Sequence, residues 1–401
     1  MRRPDPVVAF INVGHALDHM VMLIFPTAVL GMHGAFGDAS YGELLALSIG
    51  GFIAFGAGSL PAGWLGDRWS RRNMMAVFFF GVGLATILTG LSASPAMLAV
   101  GLTLIGLFGA IYHPVGTAML TAHVGTKVGH AIGVNGVWGN FGVAVAALAA
   151  GALTQWVSWR AAFIVPGALA ILLGIAFLVL VPGEVRGVKK AAAPRAPLPR
   201  TVMVRAFASL ALATIVGSVV FNASTVSLPK LFDERLTGLT ATSFGIGALA
   251  FIVFMIGATA QIIVGRLVDR HPLRTVFVPL AALQAPFLLL AAFAQDWAML
   301  VIAAGMMFAI FGQVTINDAM VAKYADESWR ARAYALRYFM SFSGSATAVP
   351  LIALLHERTG GFTATFIALA VLGAIVFCAA LLCPYRPEEV APVRPQAQPA
   401  E

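Results

Sequence analysis

Charge is what this sequence has least of. Only 10% of its 401 residues are Asp, Glu, Lys or Arg, against 60% hydrophobic residues, and the mean hydropathy is +0.89. A water-soluble chain of this length needs a polar exterior, so the composition excludes one. Cysteine is nearly absent too: Cys378 and Cys383 both lie in the last apolar stretch, which excludes a disulfide framework or a zinc knuckle. No Gly-x-x-x-x-Gly-Lys-Ser/Thr loop occurs, which argues against ATP-driven pumping by this chain. A cleaved leader is not expected either. The apolar stretch from Val7 runs past Leu30 and carries Asn12, His15, Asp18 and His19, reading as a retained first helix.

What is present is a series of uncharged stretches of about 20 residues, the length a helix needs to cross hydrocarbon. Twelve spans are expected, near 7–30, 42–64, 74–92, 96–119, 131–153 and 160–181, then 206–228, 243–265, 275–294, 297–320, 333–355 and 362–383. Residues 182–205, rich in Pro, Ala, Arg and Lys, read as a cytoplasmic linker. The expected organisation is a six-helix half over 1–181, that linker, a second half over 206–385 and a cytoplasmic tail over 386–401.

The net charge of +8 does not point to nucleic acid, because the basic residues sit in short loops between apolar spans. Twenty of the 25 Lys and Arg fall in the tails and even-numbered loops. Only Arg160, Lys230, Arg235 and Arg358 lie on the other side, with Arg337 set apart inside a span. The positive-inside rule then puts both termini in the cytoplasm, in a multi-pass protein of a bacterial-type inner membrane.

The chain also repeats itself. Gly63-Trp64-Leu65-Gly66-Asp67-Arg68 after span two is echoed by Gly265-Arg266-Leu267-Val268-Asp269-Arg270 after span eight. Trp159-Arg160-Ala161-Ala162-Phe163 is echoed more weakly by Phe362-Thr363-Ala364-Thr365-Phe366. Repeats of this size mark secondary transporters whose two halves rock about a central site. The expected fold is therefore an all-α membrane protein of twelve helices in two pseudo-symmetric halves.

Gly63, Asp67, Arg68, Arg71 and Arg72 follow a pattern of one Gly, an Asp-Arg pair and a basic pair between helices two and three. In this the chain resembles the major facilitator superfamily. The resemblance implies that this loop latches the outward-facing state, with Asp67, Arg68, Arg71, Arg72, Asp269 and Arg270 as gating residues. Three stretches look like the fosmidomycin-resistance group of exporters: Gly14-His15-Ala16-Leu17-Asp18, Tyr112-His113-Pro114 and Gly139-Asn140-Phe141-Gly142. The antiporter signature of helix five is degenerate, since Asn140 stands where Pro is usual.

Ionisable side chains inside hydrocarbon are costly and point to function. At 100° per residue, Asn12, His15 and His19 fall within about 60° of one another, with Asp18 about 60° further round. A rise of 1.5 Å per residue puts His15 about 12 Å deep, His19 about 18 Å and His113, on span four, about 10 Å. The resemblance adds that helices one and four line one cavity. Pro114 removes a backbone donor, so a kink is expected beside His113.

Three readings of His15, Asp18, His19 and His113 stay open. Histidine titrates near neutral pH, so the group can relay protons traded against substrate. It can instead hydrogen-bond within the bundle for packing. It can also hold a metal through His15 and His19 at i and i+4, although no Cys, Met or His-rich cluster supports that.

Further polar residues extend the candidate cavity: Asn135, Trp138 and Asn140 on span five, Asn222 on span seven, Gln261 on span eight, and Gln313 and Asn317 on span ten. Asp318 and Arg337 lie at similar depth with opposite charge and are expected to form a structural ion pair flanked by Tyr334 and Tyr338. The function expected is proton-coupled secondary transport of a small drug or metabolite by alternating access, most simply as an efflux antiporter. Uptake of an organic anion, transition-metal export through the histidine cluster and a non-transporting receptor are the alternatives. The expected partners are a small-molecule substrate, protons and the lipid bilayer, with no nucleic acid, no cofactor, no enzymatic activity and a monomeric state.

Overall fold

A computed structural model describes residues 5–124, 128–181, 183, 198–325 and 330–386. Pro182 and 184–197 of the linker, Lys127 of the even loops and 387–401 of the tail lie outside the described residues.

In lipid no water satisfies backbone groups, so an apolar run must close its own hydrogen bonds as a helix. Twelve helices long and apolar enough to span a membrane follow: α1 (Pro6–Gly31), α2 (Tyr41–Arg68), α3 (Arg71–Gly90), α4 (Pro95–Val124), α5 (Ala131–Trp156), α6 (Ala161–Leu180), α7 (Arg200–Arg235), α8 (Ser243–Arg270), α9 (Leu273–Ala291), α10 (Asp296–Tyr324), α11 (Leu336–Thr359) and α12 (Thr363–Leu382). Their starts carry ordinary N-terminal chemistry. Ser40 and Glu43 form a reciprocal capping box, Ser70 and Ser94 each accept from a backbone N–H three residues on, and Pro6 and Pro95 open their helices.

The repeat seen in the sequence is also a repeat of packing. In the first half α1 packs on α5, α2 on α4 and α3 on α6; in the second, α7 packs on α11, α8 on α10 and α9 on α12. Each pair recurs six helices later. The halves meet through α5 against α8 and α2 against α11, which the same operation exchanges. Outward faces are left apolar, as Leu169, Leu172, Ile175 and Val179 on α6 illustrate.

Two expected boundaries move. The linker expected over 182–205 is shorter at its far end, because α7 begins at Arg200. Residues 200–205 stay helical because Arg205 reaches back to donate to the Leu382 carbonyl at 3.2 Å, tying this first turn to the end of α12. The two Asp-Arg motifs, expected in loops, lie in the last turns of α2 and α8, which run to Arg68 and Arg270.

Among the described residues, the hydrogen bonds that cross between the halves lie on the membrane face away from the termini. Gly42 N donates to Glu357 Oε1 at 2.9 Å, and the Tyr41 ring packs 5.0 Å from His356. Ser243 N donates to Gln155 Oε1 at 3.2 Å, with Trp156 against Phe244.

Candidate functional site

The polar stripe of α1 sits where α4 and α5 close on it. Small residues make this possible. The His15 ring lies over Gly139, where a Cβ would come within 2.7 Å of its Cε1 and Nε2, and Gly142 packs against the Ala16 backbone. Gly14 in turn receives the Tyr112 ring, 3.2 Å from where its Cβ would be.

Within this contact the hydrogen bonds fix one proton arrangement. His15 Nδ1 lies 2.7 Å from the Asn135 carbonyl oxygen, which only accepts, so Nδ1 carries the hydrogen. In a neutral ring its Nε2 is then an acceptor, and His19 Nε2 lies 3.1 Å away to donate. Tyr112 stacks on His15 with centroids 4.8 Å apart and donates to the Ile11 carbonyl at 2.8 Å. Asn135 Nδ2 donates to the Tyr112 hydroxyl at 2.9 Å and to Asn12 Oδ1 at 3.0 Å. Asn12, His15, Tyr112 and Asn135 thus form one connected buried network.

Asp18 faces the other way, toward α4. It has no solvent exposure, and its Oδ2 lies 3.5 Å from His113 Nε2. Neither carboxylate oxygen has a hydrogen-bond partner among the described residues. α4 opens at this level into a π-helical turn, Tyr112–Gly116, around Pro114. Such a turn absorbs the missing backbone donor of the proline and is frequent at functional positions. One ligand atom each from His15, His19 and His113 falls within 4.8 Å of the others, a spacing that a metal ion can also use.

His113 stands at the joint between the halves. Its ring lies 5.6 Å from Tyr338 and from Phe342 of α11, and 5.8 Å from Phe55 of α2, which itself meets Phe342 at 4.8 Å. Beside Tyr338, Arg337 Nη1 approaches Asp318 Oδ1 to 3.1 Å, with the guanidinium 4.9 Å over the Tyr338 ring. Tyr334 donates its hydroxyl to the Asp318 carbonyl at 3.1 Å.

The remaining candidates divide. Gly136 brings α5 close to Gln261 of α8, whose Oε1 would be 3.3 Å from an added Cβ. Asn140 and Asn317 are buried, each with an amide atom that finds no partner among the described residues. Asn222 donates to Ser345 Oγ at 2.6 Å, joining α7 to α11. Gln313 is engaged away from the histidines: it accepts from Gln284 at 2.6 Å and donates to the Ala213 carbonyl at 2.9 Å. Trp138 is partly exposed beside Phe141 and outside the buried network.

At the terminal face Asp67 pairs with Arg71 at 2.8 Å within the same half. Arg72 donates to the Val181 and Leu178 carbonyls at the end of α6, and Arg68 lies 4.6 Å over Trp64. Asp269 and Arg270 are exposed.

Sequence reasoning missed Tyr112, Gln284 and the group Tyr41, Glu234, His356 and Glu357. Tyr112 was legible only as a neighbour of His113. Gln284 lies buried in mid-span of α9 as a lone polar residue, whereas Tyr41, Glu234, His356 and Glu357 lie near span ends, where a polar residue reads as interfacial.

Two bundles of six helices related by a repeat, with titratable groups buried at their joint, define a membrane carrier, a transporter rather than an enzyme. The family model of the Major Facilitator Superfamily matches residues 9–259 and 210–400, and this chain belongs to that superfamily. Among curated proteins it is similar to the puromycin resistance protein pur8 of Streptomyces alboniger, 37% identical over 131 residues, which are 31% of this chain and 26% of that one. It is also similar to the tetracenomycin C resistance and export protein of Streptomyces glaucescens, 31% identical over 186 residues, covering 44% and 33% of the two chains. The matched stretches span about a quarter and a third of those relatives. Among solved structures, a bacterial homologue of the human lysosomal transporter Spinster, inward-facing and unoccupied, matches with a TM-score of 0.71 at 15% identity over 96% of this chain and 95% of that one. A D-xylose–proton symporter matches with a TM-score of 0.72 at 15% identity over 96% and 98%. At these identities the structures speak for the fold.

Proposed function

We propose that this protein is a proton-coupled secondary transporter that exports a small drug or metabolite by antiport, its terminal face lying in the cytoplasm of a bacterial-type inner membrane. The observation that carries this reading is Asp18, a carboxylate without exposure, 3.5 Å from His113 at the joint of the halves. A proton taken up or released by this pair changes the net charge at the surface on which the halves rock, and so biases the two-state equilibrium of alternating access. The His15–His19 contact supports a proton in preference to a metal, because the His15 lone pair a metal would need already accepts from His19.

Export is supported by the two resistance relatives and by the short motifs shared with the fosmidomycin-resistance group. The basic bias of the tails and even loops supports the orientation. In this arrangement Asp67, Arg68, Arg71, Arg72, Asp269 and Arg270 sit at the cytoplasmic gate, Asn12, Asn135 and Asn140 contribute polar cavity walls, and a single chain suffices for the cycle.

Inverted membrane vesicles test the reading. With puromycin, tetracenomycin C and a broader drug panel, an acid-inside gradient is expected to drive accumulation that collapses with a protonophore. Accumulation driven only by an acid-outside gradient would show substrate–proton symport and reassign the protein to uptake. Accumulation of Zn²⁺ or Ni²⁺ in place of organic compounds would reassign it to metal export.

A further inference from the structure

The Arg337–Asp318 contact is only half made. Arg337 is 5% exposed, yet its Nε has no hydrogen-bond partner among the described residues, and the Asp318 oxygen nearest to it lacks an aligned hydrogen bond despite the 3.1 Å approach. A guanidinium is a planar fork suited to two parallel bonds to one carboxylate. Here the carboxylate in place meets the fork at one Nη corner, so the strongest geometry the Arg offers is left unformed. The Asp318 side chain is 31% exposed while that of Arg337 is 6% exposed, so the partner able to move away is the acid.

The surroundings are aromatic and shared by both halves. The guanidinium lies over Tyr338; Tyr338 is nearly parallel to Phe342 at 6.1 Å and 18°; Phe342 meets Phe55; and His113 faces both Tyr338 and Phe342. A planar apolar body against these rings would place an acidic group beside Arg337.

We propose that Arg337 is the anchor for the acidic group of an aromatic organic anion, and that Asp318 is a resident placeholder which this anion displaces. The proposal rests on the reading of the joint as the substrate path and names the substrate class of that path. Displacement replaces a single-corner contact by a forked one and frees Asp318 on the cytoplasmic side of the joint, so that loading changes the charge pattern the two halves present to each other. A placeholder lowers apparent affinity by the fraction of time it holds the site.

The test is calorimetric titration of the purified protein in detergent, without any gradient, using benzoate and 1-naphthoate beside their uncharged amides. The acids are expected to bind and the amides not to. Arg337→Lys, which keeps the charge and loses the fork, is expected to weaken binding at least about tenfold. Asp318→Asn is expected to tighten binding, by about fivefold if the placeholder holds the site most of the time. A purely structural ion pair predicts instead a lowered melting temperature for Asp318→Asn, since Arg337 is left buried without its counter-charge, and no acid binding in the wild type for Arg337→Lys to weaken. Amides binding as well as acids, unchanged affinity in Arg337→Lys, weaker binding in Asp318→Asn, or no binding of either acid to the wild type each overturn the proposal. Because no gradient is involved, loss of proton coupling in vesicles leaves this result untouched, and the two failures are separable.

Discussion

Asp18 Oδ2 and His113 Nε2 stand 3.5 Å apart, on helices α1 and α4, with the carboxylate at zero exposure and the imidazole at 11%. A buried carboxylate whose oxygens find no hydrogen bond is a poor stabilising element, because desolvation outweighs a loosely made attraction. On the proposed function, its presence serves a proton that comes and goes.

Replacing Asp18 by Asn removes the titrating group while keeping shape. The expected outcome is a folded protein whose melting temperature equals or exceeds that of the wild type, together with loss of gradient-driven accumulation and retention of substrate exchange at equal pH. A strongly lowered melting temperature would show that the carboxylate serves packing.

Gly139 and Gly142 let α5 approach α1, and the two glycines predict different failures. In Gly139→Ala the new methyl meets the His15 ring, which can rotate only by breaking its bonds to Asn135 and His19; a loss of about 1–3 kcal/mol in unfolding free energy is expected, with transport abolished. In Gly142→Ala the methyl meets the backbone of Ala16, which has no rotamer to change, so the larger drop in yield and melting temperature is expected there. Fluorescence-detected thermal unfolding ranks the two.

The Tyr112 hydroxyl gives a purely polar test. Tyr112→Phe leaves the ring on His15 but strips the Ile11 carbonyl and the Asn135 amide of a buried partner. The expected cost is about 1–3 kcal/mol, read as a lower unfolding midpoint. An unchanged midpoint would mean the network is not continuous.

How much of this was legible in the sequence follows from what sets each feature. The twelve spans were legible because lipid imposes one length on every crossing, and the two halves because Asp67-Arg68 and Asp269-Arg270 recur six helices apart. Helix ends were less so: Arg205 prolongs the start of α7 by a bond to Leu382, a partner 177 positions away. The angular stripe of α1 brought His15 and His19 onto one face, and they do touch. What helical periodicity cannot give is the azimuth of a neighbouring helix. That is why Gln313, expected with Asn317 on the cavity wall, turns out to be bonded to Gln284, and why Trp138 lies outside the buried network that holds Asn135.

On the face away from the termini, Glu357 accepts from Gly42 N at 2.9 Å and His356 lies 2.8 Å from Glu234, holding the start of α2 against α7 and α11. A hydrogen bond to a charged acceptor is worth about 1.5–3 kcal/mol, enough to move a two-state equilibrium by tenfold or more. Glu357→Ala is expected to populate the state open on that face. Spin labels on α2 and α11 near Tyr41 and Thr359 should then show a longer distance component. Identical distance distributions would remove this contact from the gate.

The central claim, that a proton exchanged at Asp18 and His113 is coupled to substrate movement, is tested most directly in liposomes enclosing a pH-sensitive dye. The compound that the wild type moves best is added outside at equal pH on both sides. Antiport predicts that its entry drives protons out and raises the internal pH, and that Asp18→Asn and His113→Ala take up the compound without any pH change. A proton movement of wild-type size in the Asp18→Asn protein would contradict the account.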